Sequence, residues 1–284
     1  MTQSTIVALA HNSGSNSTAS NRLSEPQTLA VSTPGTLVSI MIPCCGQLEY
    51  TKLCVPALLK HTRPPYELIF LDIGSLDGTS AYLAGLAAAA KVRVEVVRTP
   101  TDLGIPQAIQ DALRLARGEY LVLCNNDTIV TDNWLGQMVA LAQVRPEIAM
   151  VGPMTNYAAP PQVVERVPYR VRGQRAEVRG QKSEVGSQRA ELVDVAAVEV
   201  FAAKWREEHK GKWTEAERLG GFCLLVKREV LKRIGHLREA GDLGIFDSDS
   251  LCQKARQAGF TLALCKDLFV HHFGTRVFAQ GAPE

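Results

Sequence analysis

The sequence predicts an α/β fold built on a mostly parallel sheet flanked by helices. Three observations carry that expectation. Short apolar runs, dense enough to be buried on both faces, recur along the chain. Helix-length segments with an apolar stripe alternate with them. Each of the leading runs ends in Pro, Asp or Asn, residues that close a strand and open a loop.

Taken in order, LVSIMIP (37–43) reads as the first buried strand, followed by a helix over about 48–61. YELIFLD (66–72) is the second strand, and a helix over about 79–90 leads to VRVEVV (92–97). A helix over about 105–117 precedes EYLVLCN (119–125), then a helix over 132–144 and the strand IAMVG (148–152). In such sheets ligands bind beyond the carboxyl ends of the strands. That rule alone selects Pro43, Asp72 and Asn125 to Asp127.

The regular alternation has interruptions. Residues 1–35 are rich in Ser, Thr, Asn and Ala without an apolar period, the composition of a disordered leader. Residues 172–192 form a near-repeat of seven, RGQRAEV, RGQKSEV, GSQRAEL. A coiled coil needs two apolar positions in every seven, and this has about one, so a solvated insertion is expected. It belongs to an irregular stretch at about 160–215 inside a domain spanning 36–278, with a tail at 279–284. Within that stretch, 196–210 reads as an amphipathic helix carrying Phe201 and Trp205. A strand running into a helix (220–235), an acidic turn opening a helix (246–259), a strand (260–265) and the segment VHHFGTRVF (270–278) complete the domain.

Composition narrows the function classes. The formal net charge is +2, which argues against nucleic-acid binding. No apolar run approaches the roughly 20 residues of a membrane span. The N-terminus lacks a basic-then-apolar pattern, so a cytoplasmic protein is expected, with peripheral contact to a membrane left open. Seven cysteines, an odd number without a CxxC pair, point to buried free thiols rather than disulfides or structural zinc.

Four places carry candidate chemistry. In CNNDT (124–128) a hydrophobic strand ends in two amides and a carboxylate. Asp127 is a natural ligand for a hard divalent cation, with Asn126 beside it to meet ribose, sugar or metal-bound water. A plain strand-ending turn is the alternative. Asp72 closes the second strand and could accept the ring N–H of a uracil; Asp77, or Ser75, reads better as a helix cap. Asp242, Asp247 and Asp249 form an acidic cluster. Asp247 and Asp249 immediately precede an apolar-periodic helix, and two carboxylates there exceed what capping needs. Either suits a general base for an acceptor hydroxyl. His271 and His272 are adjacent in a strand and so point to opposite faces, which leaves at most one as a metal ligand.

The ordered set LVSIMIP, ELIFLDIGSLDGT, DLGIPQAIQDALRLARGEYLVLCNNDT, GGFCLLVKREV, FDSDSLCQKARQAGF and VHHFGT resembles the family 2 glycosyltransferases of GT-A fold. The resemblance runs from about Leu37 to Phe278 without the insertion. It implies a single GT-A-like domain with a nucleotide-binding half and an acceptor half. The nucleotide would lie against Pro43, Asp72, Leu103 and Gly104. The metal-binding motif would fall on Asn125, Asn126 and Asp127, and the family's C-terminal histidine on His271 or His272, with Mn²⁺ or Mg²⁺ as the ion. The reaction implied is an inverting, hexosyltransferase-type displacement from a nucleotide sugar, UDP-linked for preference, onto a saccharide, lipid-linked or protein hydroxyl, with Asp249 or Asp247 as base.

The chain departs from the pattern at three places. Ile73 stands where the turn usually has Asn, Asp102 where an Asn precedes Leu-Gly, and strict alignment places Ser248 at the base position. An inactive nucleotide- or sugar-binding module is therefore the alternative. A sugar nucleotidyltransferase fits less well, because PCCGQLEY (43–50) holds one glycine and no basic residue before Lys52. A dinucleotide dehydrogenase lacks its GxGxxG.

Overall fold

The computed structural model describes residues 35–99, 104–170, 193–235 and 248–274. The leader 1–34, the near-repeat, Asp102, Leu103, Asp242 and Asp247 lie outside the described residues.

The predicted alternation is present. Strands β1 (Val38–Cys44), β2 (Tyr66–Ile73), β3 (Val94–Thr99) and β4 (Tyr120–Cys124) are separated by helices α1 (Leu48–His61), α2 (Thr79–Ala89) and α3 (Gly104–Leu115). Every residue of β1 and β2 is buried, which explains why both read as unbroken apolar runs. After β4 come a two-residue strand β5 (Thr128–Ile129), α4 (Trp134–Val144) and β6 (Ile148–Met154). The second half contributes α5 (Val195–His209), β7 (Trp213–Ala216), β8 (Cys223–Lys227), α6 (Arg228–Arg233), α7 (Ser248–Gln257), β9 (Thr261–Phe269) and β10 (His271–His272).

Eight strands form one sheet in the order β3-β2-β1-β4-β8-β6-β9-β7. β1 pairs in parallel with β2 and β4, β2 with β3, and β6 with β9. β8 runs antiparallel to both β4 and β6, and β7 antiparallel to β9. Strand order reverses at β1, with β2 on one side and β4 on the other. This is the switch point beyond which α/β sheets bind ligands.

Two elements differ from the sequence expectation. β9 extends to Phe269, four residues past the predicted end, because Lys266 and Asp267 continue the strand despite their charge. Asp267 is 4% exposed and receives the Gly211 N–H at 2.7 Å. The segment 160–215 supplies the edge strand β7, four residues too short to show a period. Trp205 and Trp213 pack against the core, the usual fate of a large aromatic ring. Trp205 donates to the Lys266 carbonyl at 2.8 Å, and Arg145 lies over the Trp213 ring at 5.5 Å.

At the opposite end of the sheet from the site, the Glu67 carboxylate is almost completely buried and takes three donors. These are the Ser39 hydroxyl and the Arg117 N–H, each at 2.6 Å, and the Arg93 guanidinium. Burial alone would raise its pKa; the three hydrogen bonds and the Arg93 charge outweigh it and hold the group below the usual carboxylate value. Ser39 in turn accepts the Gly118 N–H at 2.8 Å. Gly118 is required here, since a Cβ would lie 2.5 Å from the Ser39 backbone nitrogen. β1, β2 and the start of β4 are thereby locked in register.

Candidate active site

The site assembles where β4 runs out. The Asn125 N–H still donates to the Phe222 carbonyl at 2.8 Å, and the chain then turns through Asn126 and Asp127 into β5. Thr128 closes the turn, its hydroxyl donating to the Asn125 carbonyl at 2.8 Å. Both Asn126 and Asp127 are buried. The Asn126 amide donates to the Gly46 carbonyl at 3.2 Å and to the Thr51 hydroxyl at 2.9 Å, so it braces the β1–α1 loop. Its Oδ1 is buried with no hydrogen-bond partner among the described residues.

β10 returns from the far end of the chain and pairs antiparallel with β5, setting His272 opposite Thr128. The Phe273 N–H donates to the Asp127 carbonyl at 3.0 Å. This strap brings His272 Nε2 to 3.4 Å from Asp127 Oδ1. The ring is held on several sides. Nδ1 lies 3.0 Å from the Tyr157 carbonyl, Phe222 stacks on it at 4.9 Å, and Asn156 brackets its backbone at 2.9 and 3.0 Å. Gly274 follows because a Cβ there would lie 2.3 Å from the Tyr157 ring.

Nδ1 faces a carbonyl and so carries a proton; in the neutral tautomer the Nε2 lone pair is turned toward the Asp127 carboxylate. In that tautomer both atoms are lone-pair donors. Two ligands about 2.1 Å from one hard cation lie roughly 3–4 Å apart, so the pair fits a shared divalent ion. No group of three or more His, Cys, Asp or Glu side chains converges in this way among the described residues. Protein ligands would thus fill only part of the coordination shell.

His271 is turned elsewhere. It shares a hydrogen bond with the Tyr169 hydroxyl at 3.0 Å, and its Nε2 is buried without a hydrogen-bond partner among the described residues. Burial first, and His272 second, depress its pKa to about 3, so it stays neutral at physiological pH.

Asp72 ends β2 beside Cys44 and Arg98. Its carboxylate is 1% exposed and receives the Ser75 N–H at 3.2 Å and the Ser80 hydroxyl, with Arg98 Nε at 3.8 Å. Asp77 is a cap. It accepts the Leu48 N–H at the start of α1 at 2.8 Å, and the Thr79 N–H and hydroxyl at 3.2 and 2.6 Å. Burial works against its ionisation, but those bonds prevail and its pKa lies below the usual value.

Pro43, Asn125, Tyr157, Phe222, Ser248 and His272 face one cleft of about 590 Å³, with Arg218 on its wall. Gly104 opens α3. Asp249, the second residue of α7, has a side chain 53% exposed and pairs with Arg218 Nε at 3.3 Å. The residue that lines the cleft at this helix start is Ser248. Sequence reasoning did not single out Tyr157, Asn156 or Arg218. Their only signal is position in three dimensions, since none sits in a motif.

All seven cysteines are free, and Cys45, at the mouth of β1, is the one that is not buried. Burial and then the Asp72 charge raise its pKa. A disulfide reagent should therefore titrate one thiol slowly in the native protein and seven after unfolding. Rapid reaction of three or more native thiols would contradict this packing.

Comparison with known proteins adds the following. The model of the family described as Glycosyl transferase family 2 matches residues 39–197. Glycosyltransferase GlyG of Streptococcus pneumoniae is 28% identical over 121 residues, covering 43% of this chain and 40% of that protein. The chain spans less than half the length of curated relatives it matches, 40% for GlyG and 23% for an uncharacterized protein of Sinorhizobium fredii. Among solved structures, the mannosyltransferase PcManGT from Pyrobaculum calidifontis, in complex with GDP-Man and Mn²⁺, superposes with a TM-score of 0.60 at 18% identity, over 89% of this chain and 62% of that one. GalNAc-T7 with UDP, GalNAc and Mn²⁺ gives a TM-score of 0.55 at 16% identity, over 84% and 43%. At these identities the structural likeness establishes the fold, which is GT-A-like.

Proposed function

We propose the following reading for this chain, which belongs to glycosyl transferase family 2: it moves a sugar from a nucleoside diphosphate to an acceptor hydroxyl, with inversion at the anomeric carbon. The observation that carries it is the convergence of Asp127 Oδ1 and His272 Nε2, 3.4 Å apart, at the switch point of the sheet. Asp127 and His272 would hold a divalent cation, Mn²⁺ or Mg²⁺, which when bound neutralises charge on the leaving diphosphate as a Lewis acid. With only these two protein ligands, such an ion would take phosphate oxygens and water as its others. His271 and Tyr169 hold the strap that carries His272.

The remaining roles fall to the chain's own side chains. Pro43 and Asn125 form the donor wall, with Gly104 at the α3 start. Asp72 is assigned the base. Ser75 and Ser80 use one lone pair on each of its oxygens, which leaves capacity for a ring N–H such as that of uracil or guanine. Asn126 acts from beneath by fixing the β1–α1 loop. Asp249, with Asp247 as the alternative, removes the acceptor proton as the bond to the anomeric carbon forms.

A panel of UDP-, GDP- and dTDP-sugars, each with Mn²⁺ or Mg²⁺, tests this. Release of the nucleoside diphosphate from one donor class is expected, with a product of inverted anomeric configuration by NMR. No release from any donor overturns the transferase reading; a retained configuration overturns the single displacement. The bound donor should also shield Cys45 from thiol reagents.

A further inference from the structure

We infer that Arg218 is a positioning residue for the acceptor side of the reaction, holding Asp249 at the rim of the cleft as the general base. The inference rests on the transferase reading above and adds to it the residue that selects and orients the base.

Three contacts support it. The segment leading into β8 meets α7 at Asp249, Cys252 and Arg256, which are spaced i, i+3 and i+7. Buried Leu219 is stitched to the helix through Cys252. Its N–H donates to Cys252 Sγ at 3.4 Å, and the thiol lies 3.8 Å from the Leu219 carbonyl. One residue earlier Arg218 meets Asp249 at 3.3 Å, and one earlier again Glu217 meets Arg256 at 3.9 Å. The buried thiol contact fixes the backbone beside the Arg218–Asp249 pair, whose own side chains are 56% and 53% exposed.

The pair also sits in the right place. Arg218 is on the cleft wall next to Ser248, the residue that precedes Asp249. Gly221 lies against this corner, where an added Cβ would come 3.4 Å from Ser248 Cβ. Arg218 approaches Asp249 through Nε, and a guanidinium carries further N–H donors with which to meet an acceptor oxygen. An acceptor hydroxyl reaching Asp249 from the cleft therefore passes beside a cationic donor. The donor orients the oxygen while the carboxylate takes its proton. Gln162 shows why this task falls to Arg218. Its amide is already committed to the Pro153 carbonyl at 3.0 Å and to the Gly220 N–H at 2.6 Å.

The test uses water as the acceptor, so the natural acceptor need not be known. Nucleoside diphosphate affinity and donor hydrolysis are measured for the wild type, Arg218→Lys, Arg218→Gln and Asp249→Asn. Arg218→Gln should keep the nucleotide Kd within about twofold and lower hydrolytic kcat about 10²-fold, the cost of a misplaced base. Arg218→Lys should recover most of the loss, and Asp249→Asn should lose about 10²–10⁴-fold. Unchanged kcat in Arg218→Gln, or full activity in Asp249→Asn, overturns the proposal. So does a wild type that binds nucleotide without hydrolysing any donor. A wild type that binds no nucleotide instead sinks the transferase reading itself.

Discussion

Replacing Asp127 by Asn is expected to lower donor turnover about 10³-fold, equivalent to about 4 kcal/mol of lost transition-state stabilisation. The protein should remain folded. Asp127 is a fully buried carboxylate 3.4 Å from the His272 ring, and burying its charge costs desolvation energy. Asn has the same shape without the charge. The variant should therefore melt no lower than the wild type in metal-free buffer. It should also fail to gain the stabilisation that metal plus nucleotide gives the wild type by linkage. A parallel loss of apo stability and activity would mean that Asp127 is a structural residue. Wild-type turnover in the variant would remove the metal assignment.

The second large effect is on folding. Glu67→Ala leaves the Ser39 hydroxyl, the Arg117 N–H and the Arg93 guanidinium without their shared acceptor at the base of β1, β2 and β4. Breaking a buried ion pair by deleting one partner costs about 3–5 kcal/mol, or roughly 10 °C in Tm for a domain of this size. The pH dependence has a definite sign. Glu67 has a folded pKa below its unfolded value, so its contribution is fully present above the unfolded carboxylate pKa, about 4.3. It is lost as pH falls through the folded pKa. The gap in stability between wild type and variant should thus be widest at neutral pH and narrow in acid. A gap that is constant across that window, or a Tm change below about 2 °C, would contradict the description of the cluster.

How much of this was legible in the sequence follows from the range of each interaction. β1, β2 and β4 announced themselves because they are buried on both faces, and the carboxyl ends of parallel strands are where sites lie. Asp127 was visible for that reason, as was the capping role of Asp77, which reports only on its own turn and the neighbouring loop. β5 and β7 were not visible, being two and four residues long. They exist because of the partners they meet, and length and period cannot reveal that.

The same limit applies to the site. The sequence left His271 and His272 equivalent. The β5–β10 pairing separates them, sending one toward Asp127 and burying the other against Tyr169. Asn126 reads as a ligand-facing amide in the sequence; its Nδ2 supports the β1–α1 loop, and its Oδ1 has no hydrogen-bond partner among the described residues. Ser248, the position to which strict alignment assigned the base, does face the cleft. The carboxylate one residue on is oriented by Arg218, a residue about 30 positions earlier that no local pattern connects to it. What sequence reasoning finds is the chemistry delivered by one strand end; what it misses is chemistry made by pairing two distant segments.

Calorimetric titration of UDP and GDP, with and without Mn²⁺, into the wild type, Asp127→Asn and His272→Ala tests the central claim most directly. The account predicts tight binding of a nucleoside diphosphate to the wild type only when metal is present. It predicts that binding weakens by about 10-fold or more in His272→Ala and loses its metal dependence in Asp127→Asn. Binding that is equally tight without metal, or metal-dependent binding unchanged in both variants, would contradict it.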